Sequence, residues 1–459
     1  MRKLSVSTLA AAFLASSCNL IPPLDPSGSP VAARFPGKTG GEVSVDIAWQ
    51  KFFTDPRLRK LVEVSLANNR DLRIATLNVE QSRAQYGISR SELFPAIGIA
   101  ANGERRRGLG APGRNGAAVT SGSYNVSVGL VSYELDLFGS VRSLNAAALQ
   151  TYFATDAARV AAQISLVAEV ANQYLTERAL QEQLALSQQT FDGFNVGYDI
   201  MKHRFDVGTV SELELSSMEV QRQTAKSDLA AFRQRVQLIN NSLVFLAGGS
   251  LPASLPNGRT LDQVLVADVR AGVPSDLLFR RPDIRAAEHQ LRAANANIGY
   301  ARAQLFPSIS LTATGGTASH SLTGLFANGT GSWLFAPQVN IPIFSAGKNL
   351  AGLKAVEVAK QTGIATYEKS IQTAFREVAD SLANRNGLAE QIAATESLVA
   401  AQQKRTDLAN TRYTKGVDSY FEVLNSTLDL YTARQSLISL RLARAVNSVN
   451  LYKALGGGW

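Results

Sequence analysis

The segment Pro307-Ser308-Ile309-Ser310-Leu311-Thr312-Ala313-Thr314 alternates cleanly, with Ile309, Leu311 and Ala313 on one parity and Ser308, Ser310, Thr312 and Thr314 on the other. Successive side chains of a strand point to opposite faces, so this reads as a strand with one apolar and one polar face. Three other stretches share the pattern. Ala96 to Asn102 alternates with small residues, Ala96, Gly98 and Ala100, on its second face. Trp333 to Phe344 puts Phe335, Val339, Ile341 and Ile343 on one side and Gln338 and Asn340 on the other. Between Tyr124 and Leu137 the apolar parity changes, from Val126, Val128 and Leu130 to Val131, Tyr133, Leu135 and Leu137. A one-residue slip swaps faces, which predicts a bulge near Leu130.

Strands are therefore expected at about 95–107, 124–138, 307–320 and 332–344, joined in pairs by Gly-rich polar segments, Gly103 to Ser123 and Gly315 to Ser332, read as exposed hairpin loops. Long alternating strands with long loops at one end are the pattern of an outer-membrane barrel. A soluble sandwich, the competing reading, needs many more strands and short turns. Four strands do not close a barrel, because roughly eight is the smallest number whose interior can be filled. Open sheet edges are not tolerated in lipid. The barrel must be shared among copies of the chain, and two, three or four copies all satisfy that requirement.

The remaining chain is helical. A first helix, about Arg57 to Glu92, opens after Asp55-Pro56. Ser140 to Gly197 and Lys348 to Thr411 contain no proline, and at 1.5 Å per residue each extends about 90 Å. Val160, Ile164, Val167, Ala171 and Tyr174 keep coiled-coil seam spacing, as do Ile438, Leu442, Ala445, Val449 and Tyr452. The chain is also a duplication at a spacing of roughly 208 residues. Leu93-Phe94-Pro95-Ala96-Ile97 recurs as Leu305-Phe306-Pro307-Ser308-Ile309, Arg204-Phe205 with Gly208 and Ser211 as Arg412-Tyr413 with Gly416 and Ser419, and Ala247-Gly248-Gly249 as Leu455-Gly456-Gly457. The expected organisation is a signal peptide at 1–17, a lipidated N-terminal segment at 18–56, a first repeat at 57–249, a linker at 250–281 and a second repeat at 282–459.

Arg2 and Lys3 followed by the apolar run Leu4 to Leu14 form an export signal. It ends at Ala15-Ser16-Ser17-Cys18, and Cys18 is the only cysteine of the 459 residues, so no internal disulfide forms. Cys18 reads as a lipobox cysteine that is acylated and becomes the mature N-terminus; plain secretory cleavage with a leftover thiol is the alternative. No later apolar run is long enough for a transmembrane helix. Lys+Arg 46 against Asp+Glu 37 gives a net charge of +9, spread along the chain except for Arg105-Arg106-Arg107, without the basic stripe of a nucleic-acid binder.

An enzyme is not expected. His203, His289 and His320 fall in a helix-helix turn, a helix and an extracellular loop, and no two share metal-ligand spacing. Gly108 to Gly116 joins two strands and not a strand and a helix, against a phosphate cradle. In Arg280-Arg281-Pro282-Asp283, Pro282 suits a helix's first turn and Asp283 complements its dipole.

Leu135-Asp136-Leu137-Phe138-Gly139, Arg280-Arg281-Pro282-Asp283-Ile284, Leu305 to Ile309 and the terminal Asn450 to Trp459 together resemble the TolC-like outer-membrane factors, and within them the lipoprotein branch typified by OprM. The resemblance implies a homotrimer with a 12-stranded barrel in the outer membrane, continued by a long periplasmic α-helical barrel with a mixed equatorial belt. It implies a lipid-anchored duct with no cofactor beyond the lipid on Cys18, docking to a periplasmic adaptor and an inner-membrane pump. Its function would be the exit step of tripartite efflux of drugs or other small toxic compounds; a type I protein-secretion duct or a non-conducting scaffold lipoprotein are the alternatives.

By the same resemblance, Glu422 and Asn425 lie one turn apart on the inner side of the last helix, as acidic rings do in relatives, with Asn425 standing where Asp is common. A ring of carboxylates biases a pore towards cations; a solvated helix face is the other reading of Glu422. Tyr413 resembles a position that hydrogen-bonds between helix pairs to hold the periplasmic tip shut, and Asp418 is expected in the same network. Val207-Gly208-Thr209 and Lys415-Gly416-Val417 resemble the tips that meet the adaptor. Arg105 to Arg107 reads as a solvated extracellular loop, with lipopolysaccharide phosphates the alternative partner.

Overall fold

The computed structural model describes residues 19–24, 30–32, 47–109, 118–264 and 280–457. Its fold is α+β, one antiparallel sheet and a set of long helices. The order is α1 (Trp49–Phe52), α2 (Pro56–Asn68), α3 (Arg70–Ser91), β1 (Ile97–Leu109), β2 (Ala118–Glu134), α4 (Ser140–Asp206), α5 (Glu212–Leu246), α6 (Pro282–Ala303), β3 (Ser308–Ser319), β4 (Gly331–Asn340), α7 (Lys348–Thr414) and α8 (Tyr420–Ala454). No helix among the described residues is long and apolar enough to cross a membrane.

The duplication is written into the element lengths. α4 and α7 both have 67 residues, α5 and α8 both 35. Lys348 lies 208 positions after Ser140, and Tyr420 the same 208 after Glu212. The turns match too. Gly208 and Gly416 sit at φ 76° and 72°, the left-handed conformation that ends a helix and that glycine adopts without a Cβ penalty. Their amides close on Phe205 and Tyr413, and the next amides on Arg204 and Arg412.

The chain packs as two compact units. One comprises Met1–Gly28, Asn78–Asp156 and Ala286–Tyr367; the other Ser29–Leu77, Ala157–Arg285 and Glu368–Trp459. The first holds the sheet, ordered β1-β2-β3-β4. β1 pairs with β2 from Ile97↔Leu130 to Leu109↔Ala118, and β3 with β4 from Ser308↔Asn340 to Thr317↔Gly331. Between β2 and β3 the register shifts between Leu130 and Tyr133, where the phase change predicts it, with Ser132 at φ 56° absorbing the extra residue. β2 begins earlier than expected, at Ala118 and not near 124, and the residues expected both as strand ends and as loop are strand. Arg105 to Arg107 stand opposite Gly122 to Thr120 as strand and not loop, and Gly315, Gly316 and Thr317 are likewise laddered on both sides. Small polar residues read as loop in isolation, but in a sheet the partner strands decide.

The second unit holds the most buried side chains. Phe52 stacks on Tyr452 with ring centroids 4.1 Å apart, and Leu58, Leu61, Val62, Tyr174 and Leu175 are buried in the same unit. Asp55 is also fully buried, yet satisfied. Its carboxylate accepts from the amides of Arg57 and Leu58 as the N-cap of α2, from the Arg259 amide at 2.7 Å and from the Tyr174 hydroxyl at 2.8 Å. Burial first, then the hydrogen bond and charge of Asp55, push the Tyr174 phenol above its ordinary value, so it remains a donor.

Two helix breaks carry parallel clasps. The single helix expected over 57–92 is interrupted at Asn69, whose Oδ1 caps the Leu72 amide and whose Nδ2 donates to the carbonyl of Leu246 at the end of α5. A Cβ on Gly248 would stand 2.2 Å from the Asn68 carbonyl oxygen, so only glycine allows that approach. In the second repeat Arg281 does the work of Asn69, donating to the Ala454 carbonyl at the end of α8 at 3.0 Å. Its guanidinium also pairs with Asp283 at 2.6 Å and Glu377 at 2.7 Å. Burial works to raise Asp283, but the Arg281 hydrogen bond and charge overcome it and hold the carboxyl below the ordinary range. Pro282 and Asp283 open α6 as expected; the arginine clasp beside them has no local signature. His203, expected in a turn, lies inside α4, which runs on to Asp206.

Candidate functional site

Two regions carry function-bearing geometry: the two faces of the sheet, and the helix turns at 207–211 and 415–419. The register sorts the strand residues. One face presents Ile97, Ile99, Ala101, Leu130, Val128, Val126, Ile309, Leu311, Ala313, Val339, Pro337, Phe335 and Trp333. The other presents Asn102, Ser127, Asn125, Ser310, Thr312, Thr314, Gln338 and Asn340. The apolar face is bare in the single chain; Ile97 is 73% exposed, Ile99 79% and Trp333 82%. Among the described residues, β1 and β4 each lack a partner on their outer side.

At the turns, Tyr413 is half-buried between its neighbours. Its ring meets Tyr420 edge-on at 5.1 Å, and its hydroxyl accepts a hydrogen bond from the Arg204 guanidinium of the other hairpin. Asp418 is held elsewhere. It accepts from Arg412 at 2.9 Å within its own hairpin, and that bond keeps its carboxyl below the ordinary value. Beneath them Phe194, Met201, Met218, Ala225 and Leu424 form a buried cluster.

Glu422 is not a free carboxylate. It lies 3.6 Å from Arg405 of α7, which pairs more closely with Asp429 of α8 at 2.7 Å. Asn425 is half-buried one turn on from Glu422. Arg204, Arg405 and Asp429 escape the reading of the sequence. For Arg405 a signal exists, since Arg405 and Asp429 are equally distant along the chain from Val417, the middle of an antiparallel hairpin. At the tips Val207, Gly208, Thr209, Lys415, Gly416 and Val417 are all exposed, and the Thr209 hydroxyl caps the Arg204 carbonyl at 2.9 Å. Cys18 lies outside the described residues.

The sequence profile of the family described as Outer membrane efflux protein matches residues 61–249 and 273–457. The chain belongs to that family. It is 43% identical to the toluene efflux pump outer membrane protein TtgC of Pseudomonas putida, over 100% of this chain and 96% of that protein. It is as similar to the antibiotic efflux pump outer membrane protein ArpC of Pseudomonas putida, 43% identical over the same shares. Among solved structures, the open state of the MtrE outer membrane channel of Neisseria gonorrhoeae superposes with a TM-score of 0.89 at 40% identity, covering 96% of this chain and 98% of that one.

As an outer membrane efflux protein the chain is a channel and not an enzyme. The sheet's division of faces then has a direct meaning. In an outer-membrane barrel strand the apolar parity faces lipid and the polar parity the lumen, so Asn102, Asn125, Gln338 and Asn340 belong to the water-filled side.

Proposed function

We propose that three copies of this chain form a passive exit duct in the outer membrane for small, largely apolar toxic compounds, taking over from a pump and adaptor on the periplasmic side. The observation that carries the reading is the open four-stranded sheet, apolar on one face and polar on the other, with unpaired edges on β1 and β4. Closing those edges copy to copy satisfies every ladder group and gives a barrel of three sheets. The substrate class rests on relatives named for toluene and antibiotic efflux.

In this reading Cys18 carries the lipid, and the exposed turns at Val207-Gly208-Thr209 and Lys415-Gly416-Val417 meet the adaptor. Tyr413 with Arg204, Asp418 with Arg412, and Glu422 and Asn425 near Arg405 form the gate region. The test is to purify the protein in detergent, measure its mass by light scattering, and record it in planar bilayers. A trimer that conducts ions is expected. A monomer without conductance overturns the proposal.

A further inference from the structure

The charge of the sheet is distributed unevenly. From Ser308 to Phe344 the second hairpin contains no Asp, Glu, Lys or Arg. From Arg105 to Tyr133 the first contains no Asp or Glu but carries Arg105, Arg106, Arg107 and Arg114. The register decides where the first three point. Arg105 and Arg107 share a parity with Ile97, Ile99 and Ala101, the apolar face, while Arg106 shares the polar face with Glu104 and Asn102. All three arginines are exposed and none is ion-paired among the described residues.

The height of the pair along the strand is equally specific. The foot of β1 follows the exposed Phe94, and Arg105 comes eleven positions after it, matching the roughly nine to eleven residues a tilted strand needs to cross the hydrocarbon. Immediately below it, Tyr124 stands opposite Gly103. Its ring lies over Gly103 and Gly122, where added Cβ atoms would come within 2.9 and 3.0 Å of it. An aromatic in that place marks the interfacial girdle. His320 approaches the same level from the second hairpin, its Nδ1 3.2 Å from the carbonyl of Gly122, the register partner of Arg105. Every connection between a strand and an α-helix leaves from the opposite end of the sheet, so in an outer-membrane barrel this end lies in the outer leaflet.

We infer that Arg105 and Arg107 form a docking site for the phosphorylated saccharide headgroup of outer-leaflet glycolipid, lipid A. The two guanidiniums start about 7 Å apart on one face of the strand, a spacing from which both reach one phosphate. Guanidinium to phosphate is a bidentate, charge-assisted pairing, and here it sits where lipid headgroups meet the wall. The inference rests on the membrane-spanning barrel proposed above.

The test uses the full-length protein in detergent, with lipid binding read by native mass spectrometry. Bisphosphorylated lipid A should bind about tenfold more tightly than the same lipid stripped of its phosphates, and inorganic phosphate at matched concentration should not displace it. The double variant Arg105→Gln/Arg107→Gln should lose about tenfold, whereas Arg106→Gln, on the other face, should stay within twofold of wild type. Equal binding of phosphorylated and dephosphorylated lipid by the wild-type protein overturns the inference without recourse to any variant. So does an Arg106→Gln loss as large as that of the double variant, or displacement by inorganic phosphate. Conductance of the same wild-type samples reports on the channel reading separately, so the two can fail independently.

Discussion

Arg405→Gln isolates the electrostatics of the gate region. Arg405 stands between Glu422 and Asp429, and all three side chains are about half exposed, at 46%, 52% and 50%. Ion pairs that exposed contribute about 0–1 kcal/mol each, so the variant should fold and assemble. Its effect on ions should be larger. The substitution removes one positive charge per chain, three per trimer, and leaves two carboxylates uncompensated in each copy. A unit charge about 8 Å from a cation on the axis is worth about 0.5 kcal/mol in water, and three are worth about 1.5 kcal/mol. With a Debye length of about 8 Å at physiological salt, roughly 0.6 kcal/mol of that survives, about threefold in cation occupancy. The assay is the reversal potential across a KCl gradient in planar bilayers. The shift towards cation selectivity should grow at low salt and disappear in 1 M KCl. Adding Glu422→Gln to the variant removes one negative charge per chain, restores the net charge of the triad, and should return most of the shift. A reversal potential that matches wild type at every salt concentration would refute the reasoning, because the triad would then face away from the conduction path.

Tyr413→Phe removes the acceptor of the Arg204 hydrogen bond, worth about 1 kcal/mol per chain; leak through the closed state should rise, and an unchanged leak shows that the contact does not restrain the tip. Arg281→Met should destabilise the fold by about 2 kcal/mol, since it strands Asp283, Glu377 and the Ala454 carbonyl. Because the folded Asp283 carboxyl titrates below its unfolded value, its contribution is present above about pH 4 and lost as pH falls further. Denaturant midpoints should therefore drop less steeply in acid for the variant than for wild type. Tyr174→Phe should cost about 1.5 kcal/mol through the lost bond to buried Asp55. The phenol is raised in the fold, so its contribution should fade above about pH 10, where the unfolded tyrosine ionises, and the variant should lack that alkaline loss. Mass spectrometry of the mature N-terminus should find Cys18 acylated; Cys18→Ser with a substitute signal peptide should still yield a membrane-bound channel, because a barrel band anchors more strongly than acyl chains.

The elements legible in the sequence were those governed by a local period. Alternation located all four strands, and a change of parity located the bulge at Leu130 to Tyr133, because facing is a property of each residue's own position. The strand tips are ambiguous in the sequence, strand by range and loop by composition, for the opposite reason. Gly315 and Gly316 have no preference for a strand, and are held in one because β2 and β4 flank them. The break at Asn69 carried a faint signal, a good capping residue just before Asp71, submerged in continuous helical composition. The gate residues divide in the same way. The hairpin turns followed from Gly208 and Gly416, and Arg405 opposite Asp429 follows from the turn once its centre is known. Arg204 meeting Tyr413 joins two hairpins more than two hundred residues apart, and no periodicity within either one encodes it.

The repeat of 208 positions makes the two hairpins near copies, so a trimer presents six similar ones around a ring, with two alternating kinds of seam. Copies invite comparison of equivalent places. Arg204 corresponds to Arg412, but Phe205 corresponds to Tyr413, and Val210 to Asp418. Divergence after duplication has thus given a hydroxyl to one copy alone and has tethered only one of the two arginines to an aspartate. Arg204, with valine at position 210 where Arg412 has Asp418, reaches across to Tyr413; Arg412 is paired with Asp418 and would find only a phenyl ring in the equivalent place on the next chain. In the proposed trimer the Arg204–Tyr413 contact recurs at the three of six seams that lie within a chain. If the proposed gate lies here, its opening separates three coupled hairpin pairs along three uncoupled lines, a threefold division under a sixfold appearance.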